Sequence, residues 1–161
     1  MGSTAFADTI ARFTSDPSAG HSTPAVTARL ADSRARLAAG PFNWDSDLPP
    51  TVGGRNEAPS PTAYLLGALA GCAVAFVTDT LAPQFDVEID DMTATARCST
   101  DVAGLLGVAD ADPVLREITI EIHIASPSPR DRVEAMQEAW LQRCPVYLAL
   151  RDANPVEVSF S

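Results

Sequence analysis

Lysine is absent from this 161-residue sequence, and all eleven cationic side chains are arginine. Schiff-base chemistry, a phosphate-loop lysine and a lysine general base are excluded at once. Histidine is scarce too: His21 lies in a Ser/Thr/Pro/Gly-rich stretch and His123 in a strand pattern, which leaves little for a histidine metal cage or a histidine-paired triad. Positive charge is outnumbered, 11 against 21 acidic residues, so the formal net charge is −10. Such a chain repels phosphate backbones and anionic lipid heads, and neither nucleic acid nor a membrane is expected as a partner. The longest apolar run, Tyr64 to Val77, is shorter than the ~20 residues of a spanning helix, and no basic segment opens the chain, so the reading is cytoplasmic. Cysteine is rare and odd in number: Cys72, Cys98 and Cys144 are too few for a secreted disulfide scaffold.

What remains is enough for one α+β domain preceded by an arm. Residues 1–23 hold a short amphipathic piece, Phe6 to Phe13, and a polar stretch, and residues 24–161 form the domain proper. Ala25 to about Ala39 alternates around Asp32-Ser33, a hairpin signal, and Phe42-Asn43-Trp44 suits a third short strand. The proline-rich stretch 45–61 reads as a long ordered loop. Thr62 to Leu81 is the strongest helix, with Thr62 as N-cap and Pro83 just beyond its end. Its middle is apolar all round, which predicts a central buried helix. Gly71 inside it predicts close approach of another element or a substrate next to Cys72.

Val87 to Arg97 and Leu115 to Ala125 read as strands, the second with Ile118, Ile120, Ile122 and Ile124 on one face. A second helix is expected from a Ser128 cap, with Val133, Met136 and Trp140 as its buried stripe. It should stop at Cys144, since Pro145 disfavours helical geometry before it and opens a further short helix. Val156 to Phe160 reads as an edge strand.

Taken by themselves, buried cysteines are most often inert packing. The pattern Pro59-Ser60-Pro61-Thr62 leading to Gly71-Cys72, followed beyond the Ile-rich strand by Arg143-Cys144-Pro145-Val146, changes that weight. Over residues 24–160 it resembles the family of osmotically inducible proteins and organic hydroperoxide resistance proteins. The resemblance implies an intertwined homodimer, with antiparallel sheets wrapped around two central helices and active sites at the subunit interface. It implies a thiol-dependent reductase of organic hydroperoxides, with Cys72 as peroxidatic and Cys144 as resolving cysteine. A dithiol or lipoyl-type reductant would reset the pair, and neither a bound cofactor nor a metal is called for. An arginine of the first hairpin, here assigned as Arg34, would support the Cys72 thiolate. In that family a glutamate directly after the helix-entry proline holds the arginine; here the position is Thr62, and Glu57 lies five residues earlier. The alternative is a non-catalytic dimer of the same scaffold that binds an apolar small molecule or senses redox state.

Overall fold

A computed structural model describes residues 2–152 and 154–160. The chain is a mixed α+β protein that divides into two compact units after Ser46.

The N-terminal unit opens with helix α1 (Gly2–Ser15) and a 3₁₀ turn, Pro17–Gly20, whose first turn is capped by Asp16. Three antiparallel strands follow, β1 (Thr27–Ala31), β2 (Arg34–Ala39) and β3 (Phe42–Ser46), in sequence order. Asp32 and Ser33 both take positive φ, 50° and 65°. That is the two-residue turn whose twist matches its flanking strands, which is why the short polar pair was enough to mark the hairpin.

The second unit begins with a loop organised by one carboxylate. Asp47 is only 7% exposed and accepts the backbone N–H groups of Leu48, Arg55 and Glu57 at 2.8, 3.1 and 3.1 Å. Its own N–H donates to the Pro59 carbonyl, and Gly54 passes so close to the Leu48 carbonyl that a Cβ there would overlap it. These donors, that of Glu57 foremost, hold the Asp47 carboxyl below its ordinary value. A depressed folded value means that the stability Asp47 contributes is complete above the unfolded aspartate value of about 3.9. It is lost as pH falls through the lower folded value. Asp47→Asn should therefore lower the melting temperature at pH 7 and flatten the acid limb of the stability curve; an unchanged acid limb in thermal melts would sink this account.

Helix α2 runs Pro61–Phe76, capped by Ser60, whose hydroxyl accepts the Ala63 N–H at 3.2 Å. Thr62, expected as the cap, is instead inside the first turn, because Pro61 already has helical geometry. The helix does not stop at Leu81 either. Val77–Leu81 widens into a π-turn and α3 (Ala82–Phe85) continues it to Asp86. Pro83 has no N–H for the preceding turn, and the wider turn, with the Ala82 N–H reaching the Val77 carbonyl, accommodates its ring. The whole run, Pro61–Phe85, has 25 residues and a mean hydropathy of 1.8 in its best window, long and apolar enough by those criteria to cross a bilayer, contrary to the sequence reading. In this fold its buried side packs on strand and helix.

Strands β4 (Asp91–Ser99) and β5 (Arg116–Ala125) form an antiparallel pair joined through the short helix α4 (Val102–Leu105). The inward faces carry Met92 and Ala94 on β4 and Ile120, Ile122 and Ile124 on β5. Against them pack Ala73, Val77 and Leu81 of the long helix, and Met136, Ala139 and Trp140 of helix α5 (Arg130–Arg143). Ser128 does not cap α5: its hydroxyl accepts the Glu88 N–H at 2.8 Å instead, tying the α5 entry to the β4 approach. Helix α6 (Pro145–Arg151) follows at once. Val156, Val158 and Phe160 are 84%, 71% and 97% exposed and pair with no strand among the described residues, so the expected edge strand is not formed. The middle of α2 is covered on one side only. Gly67, Ala68, Gly71 and Ala75 are exposed, and a Cβ built on either glycine meets nothing within 4 Å, so the close approach expected at Gly71 is not made by the described residues of this unit.

Candidate active site

The two cysteines that the sequence separates by 72 positions meet in the second unit. Cys72 sits on α2, one turn before its π-turn, and is half-buried; Cys144 is fully buried at the joint of α5 and α6. The joint is dictated locally. Pro145 forces Cys144 out of helical geometry, to φ −67° and ψ 110°, while the Cys144 N–H still closes the last turn of α5 on the Trp140 carbonyl at 2.9 Å. The Cys144 carbonyl then accepts the Leu148 N–H, the first bond of α6. A residue held from both sides in this way has little freedom to aim its side chain elsewhere. Its thiol donates to the Cys72 sulfur across 3.4 Å.

A third group bears on the same sulfur: the Val146 backbone N–H favours the Cys72 thiolate. Sequence reading had passed over Val146, although a signal existed. Proline lacks an N–H, so a helix that opens Cys-Pro-Val presents its first free donor at the valine. Burial pushes the Cys72 thiol up, the Cys144 sulfur adds in the same direction, and the Val146 N–H opposes both. Within this unit, then, burial and the neighbouring sulfur outweigh the one backbone group that favours the thiolate, and the net effect is to keep Cys72 protonated.

The thiol pair belongs to the main apolar cluster, and the same cluster walls a cavity of about 370 Å³. Val77, Ile120, Ile122, Met136, Trp140 and Tyr147 line it. Trp140 stands one turn before Cys144 and Tyr147 three residues after it, and their rings lie 5.1 Å apart at 32°. The cavity is therefore built from the two helices that fix Cys144, with β5 as its floor.

The other residues singled out from sequence are placed as follows. Arg34 is on β2 of the N-terminal unit, its side chain 21% exposed and its Nε 3.6 Å from Asp45 Oδ2. Arg36 donates to both Asp45 oxygens, at 2.9 and 3.3 Å. Thr62 lies in the first turn of α2, and Glu57 stays in the Asp47 loop, where its carboxylate pairs with Arg55 at 3.5 Å. Cys98 is a free, half-buried thiol on β4, beside a register shift between Arg97 and Ser99.

Known proteins bear on this arrangement in three ways. No curated protein matches the sequence. Among solved structures, an OsmC-like protein from Mycoplasma pneumoniae superposes with a TM-score of 0.66 at 23% identity, over 81% of this chain and 88% of that one. An organic hydroperoxide resistance protein from Legionella pneumophila gives 0.56 at 17%, over 81% and 90%. Another of that description from Elizabethkingia anophelis gives 0.56 at 16%, over 81% and 89%. At these identities the likeness is one of fold. The model of the OsmC-like protein family matches residues 54–159, from the glycine of the Asp47 loop through both cysteines to the C-terminal segment. A match of that extent, on a chain with this fold and this thiol pair, makes the protein a member of the OsmC-like family.

Proposed function

We propose that the protein is a thiol-dependent peroxidase that reduces organic hydroperoxides. The observation that carries this reading is the 3.4 Å contact between the Cys72 and Cys144 sulfurs. The Cys72 thiolate attacks the outer oxygen of the hydroperoxide, the O–O bond breaks, and the alkoxide leaves and takes a proton to become the alcohol. Cys72 is then a sulfenic acid. Cys144 attacks its sulfur, water departs, and a disulfide closes before over-oxidation can occur. An external dithiol, of lipoyl type by the resemblance, restores both thiols in the reducing cytoplasm. The apolar cavity beside the pair supports a substrate with a carbon tail, since apolar walls contribute binding only to carbon. The Legionella and Elizabethkingia proteins, named for organic hydroperoxide resistance, point the same way. The working unit is a homodimer, a reading supported by the bare face of α2 at Gly67, Gly71 and Ala75.

Turnover of cumene hydroperoxide well above that of hydrogen peroxide, with a dithiol reductant, is the expected result for purified protein. Two observations favour the second reading, a non-catalytic binder or redox sensor: Thr62 in the glutamate position, and a Cys72 thiol that burial pushes up. Folded, reduced protein that consumes no organic peroxide would establish it.

Arg34 is the cation that the resemblance assigns to the thiolate. If it acts so, Arg34→Ala moves the pH dependence of Cys72 alkylation by iodoacetamide to higher pH, because a thiolate that loses a positive neighbour needs a higher pH to form. Peroxide turnover at pH 7 falls by about tenfold for each pH unit of that shift and recovers as the pH is raised. An unmoved alkylation profile would leave Arg34 as a strand arginine engaged with Asp45.

A further inference from the structure

We infer that the Cys72–Cys144 pair is a binding site for trivalent organoarsenicals and kindred three-coordinate, thiophilic centres carrying one organic group. The inference rests on the same pairing of the two cysteines as the proposed function, but on no peroxide chemistry.

The bite of the pair selects the geometry. Two bonds from a central atom to sulfur of about 2.3 Å, meeting near a right angle as in a pyramidal three-coordinate centre, span about 3.3 Å. The sulfurs stand 3.4 Å apart. With the same bond length a tetrahedral centre such as zinc spans about 3.8 Å, and a linear thiolate complex about 4.6 Å. Ligand count agrees. Among the described residues no third His, Cys, Asp or Glu joins the pair to hold a metal ion, whereas a monosubstituted arsenic(III) centre needs two sulfurs only, its third position being taken by carbon.

The surroundings favour the carbon substituent. Both cysteines belong to the cluster that supplies Val77, Ile120, Ile122, Met136, Trp140 and Tyr147 to the 370 Å³ cavity; Cys144 itself does not line it, but Trp140 and Tyr147, whose rings meet at 32°, flank it in sequence one turn before and three residues after. An aryl group on arsenic held by the pair is set against the aromatic and aliphatic side chains of that cluster; the hydroxyl of arsenite gains nothing from them.

The step involves no change of oxidation state. An aryl-arsenic(III) dihydroxide exchanges both hydroxyls for sulfur: two As–O bonds break, two As–S bonds form, and each thiol proton leaves with a hydroxyl as water. Raising the Cys72 thiol pKa does not oppose this, since a protonated thiol supplies the proton that the leaving hydroxyl requires.

The test uses the full chain with Cys98→Ser, which removes the third thiol, and phenylarsine oxide as probe. Expected are one aryl-arsenic per chain by intact mass and loss of both remaining thiols in a chromogenic thiol titration. Cys72→Ser and Cys144→Ser in that background each weaken binding by about 100-fold or more, the loss of a two-point attachment. Arsenite binds at least about tenfold more weakly than the aryl compound, which buries an additional apolar group. Because serine at either position could disturb the core, the count of thiols lost in the Cys98→Ser protein decides on its own: one thiol lost, or none, overturns the inference. Equal binding by the single-cysteine variants, or arsenite as tight as the aryl compound, overturns it as well. Peroxide turnover measured on the same preparation separates the two claims. Arsenical binding without turnover leaves this site standing and removes the peroxidase; turnover without two-thiol capture does the reverse.

Discussion

If Cys72 is the nucleophile of the proposed function, Cys72→Ser is expected to abolish reduction of cumene hydroperoxide, a loss of about 10³-fold or more, because a serine hydroxyl does not ionise near neutral pH. Cys144→Ser behaves differently. Its Cys72 is expected still to attack, so without added thiol one equivalent of alcohol forms per chain and the reaction halts at a sulfenic acid that has no resolving cysteine. Trapping by dimedone, read as a mass increment on the peptide containing Cys72, distinguishes the two variants. Cys98→Ser turns over like the parent, since that thiol is on β4 outside the pair. Multiple turnovers in Cys72→Ser would remove Cys72 as the attacking residue, whereas no turnover by the folded, reduced parent would move the weight to a binding or sensing dimer. The assignment of attacker and resolver is supported by burial. Cys72 is half-exposed whereas Cys144 is sealed, which under the proposed function gives Cys72 the first encounter with a peroxide.

The largest stability effect is expected at Trp140. Only 4% of it is exposed, its ring stacks on Tyr147, and its carbonyl closes the turn that presents Cys144. Trp140→Ala removes a large side chain from a cluster with no spare one to replace it, and costs about 3–5 kcal/mol. Urea denaturation should show a lower midpoint with little change in slope. Trp140→Phe is the informative companion. The indole N–H is buried and has no hydrogen-bond partner among the described residues, a donor that forgoes its bond to water at a cost of about 1–3 kcal/mol. Phenylalanine removes that donor along with part of the volume, so its net penalty should be a small fraction of the alanine one. Equal penalties for the two variants would mean that the indole nitrogen is satisfied in solution and the stacking account is incomplete.

How legible the molecule was depended on whether a feature is fixed by neighbours in sequence. The Asp32-Ser33 turn, the isoleucine face of β5 and the break at Cys144-Pro145 were all read correctly, because φ preferences, side-chain alternation and the clash of a proline ring act over one to three residues. The α2 cap was misassigned because Ser60 and Thr62 are chemically equivalent, and the choice lies with Pro61 between them. Pro83 misled in the same way: a proline ends a regular helix, but the π-turn before it lets the axis run on to Phe85. A uniformly apolar helix says that it will be covered without saying by what, so the bare side of α2 had no sequence signal. Alternation in Val156 to Phe160 likewise cannot supply a ladder partner, and a strand requires one. For the site, the meeting of Cys72 with Cys144 came from resemblance rather than spacing, and the influence of the Val146 N–H on Cys72 depends on where α6 begins.

The bare side of α2 has a thermodynamic meaning of its own. A helix face made of Gly67, Gly71 and Ala75 has no rotamers, so whatever is laid against it immobilises nothing there, and the side-chain entropy that most surfaces lose on burial is zero on this side of the contact. The two glycines also widen the unfolded ensemble, a handicap of about 1 kcal/mol each relative to alanine. Among the described residues of the second unit nothing comes within 4 Å of a Cβ built at either glycine to offset it. The folding free energy of the isolated chain is therefore lower than its core alone would give. The deficit is recovered only when another backbone comes to lie within van der Waals distance of that face.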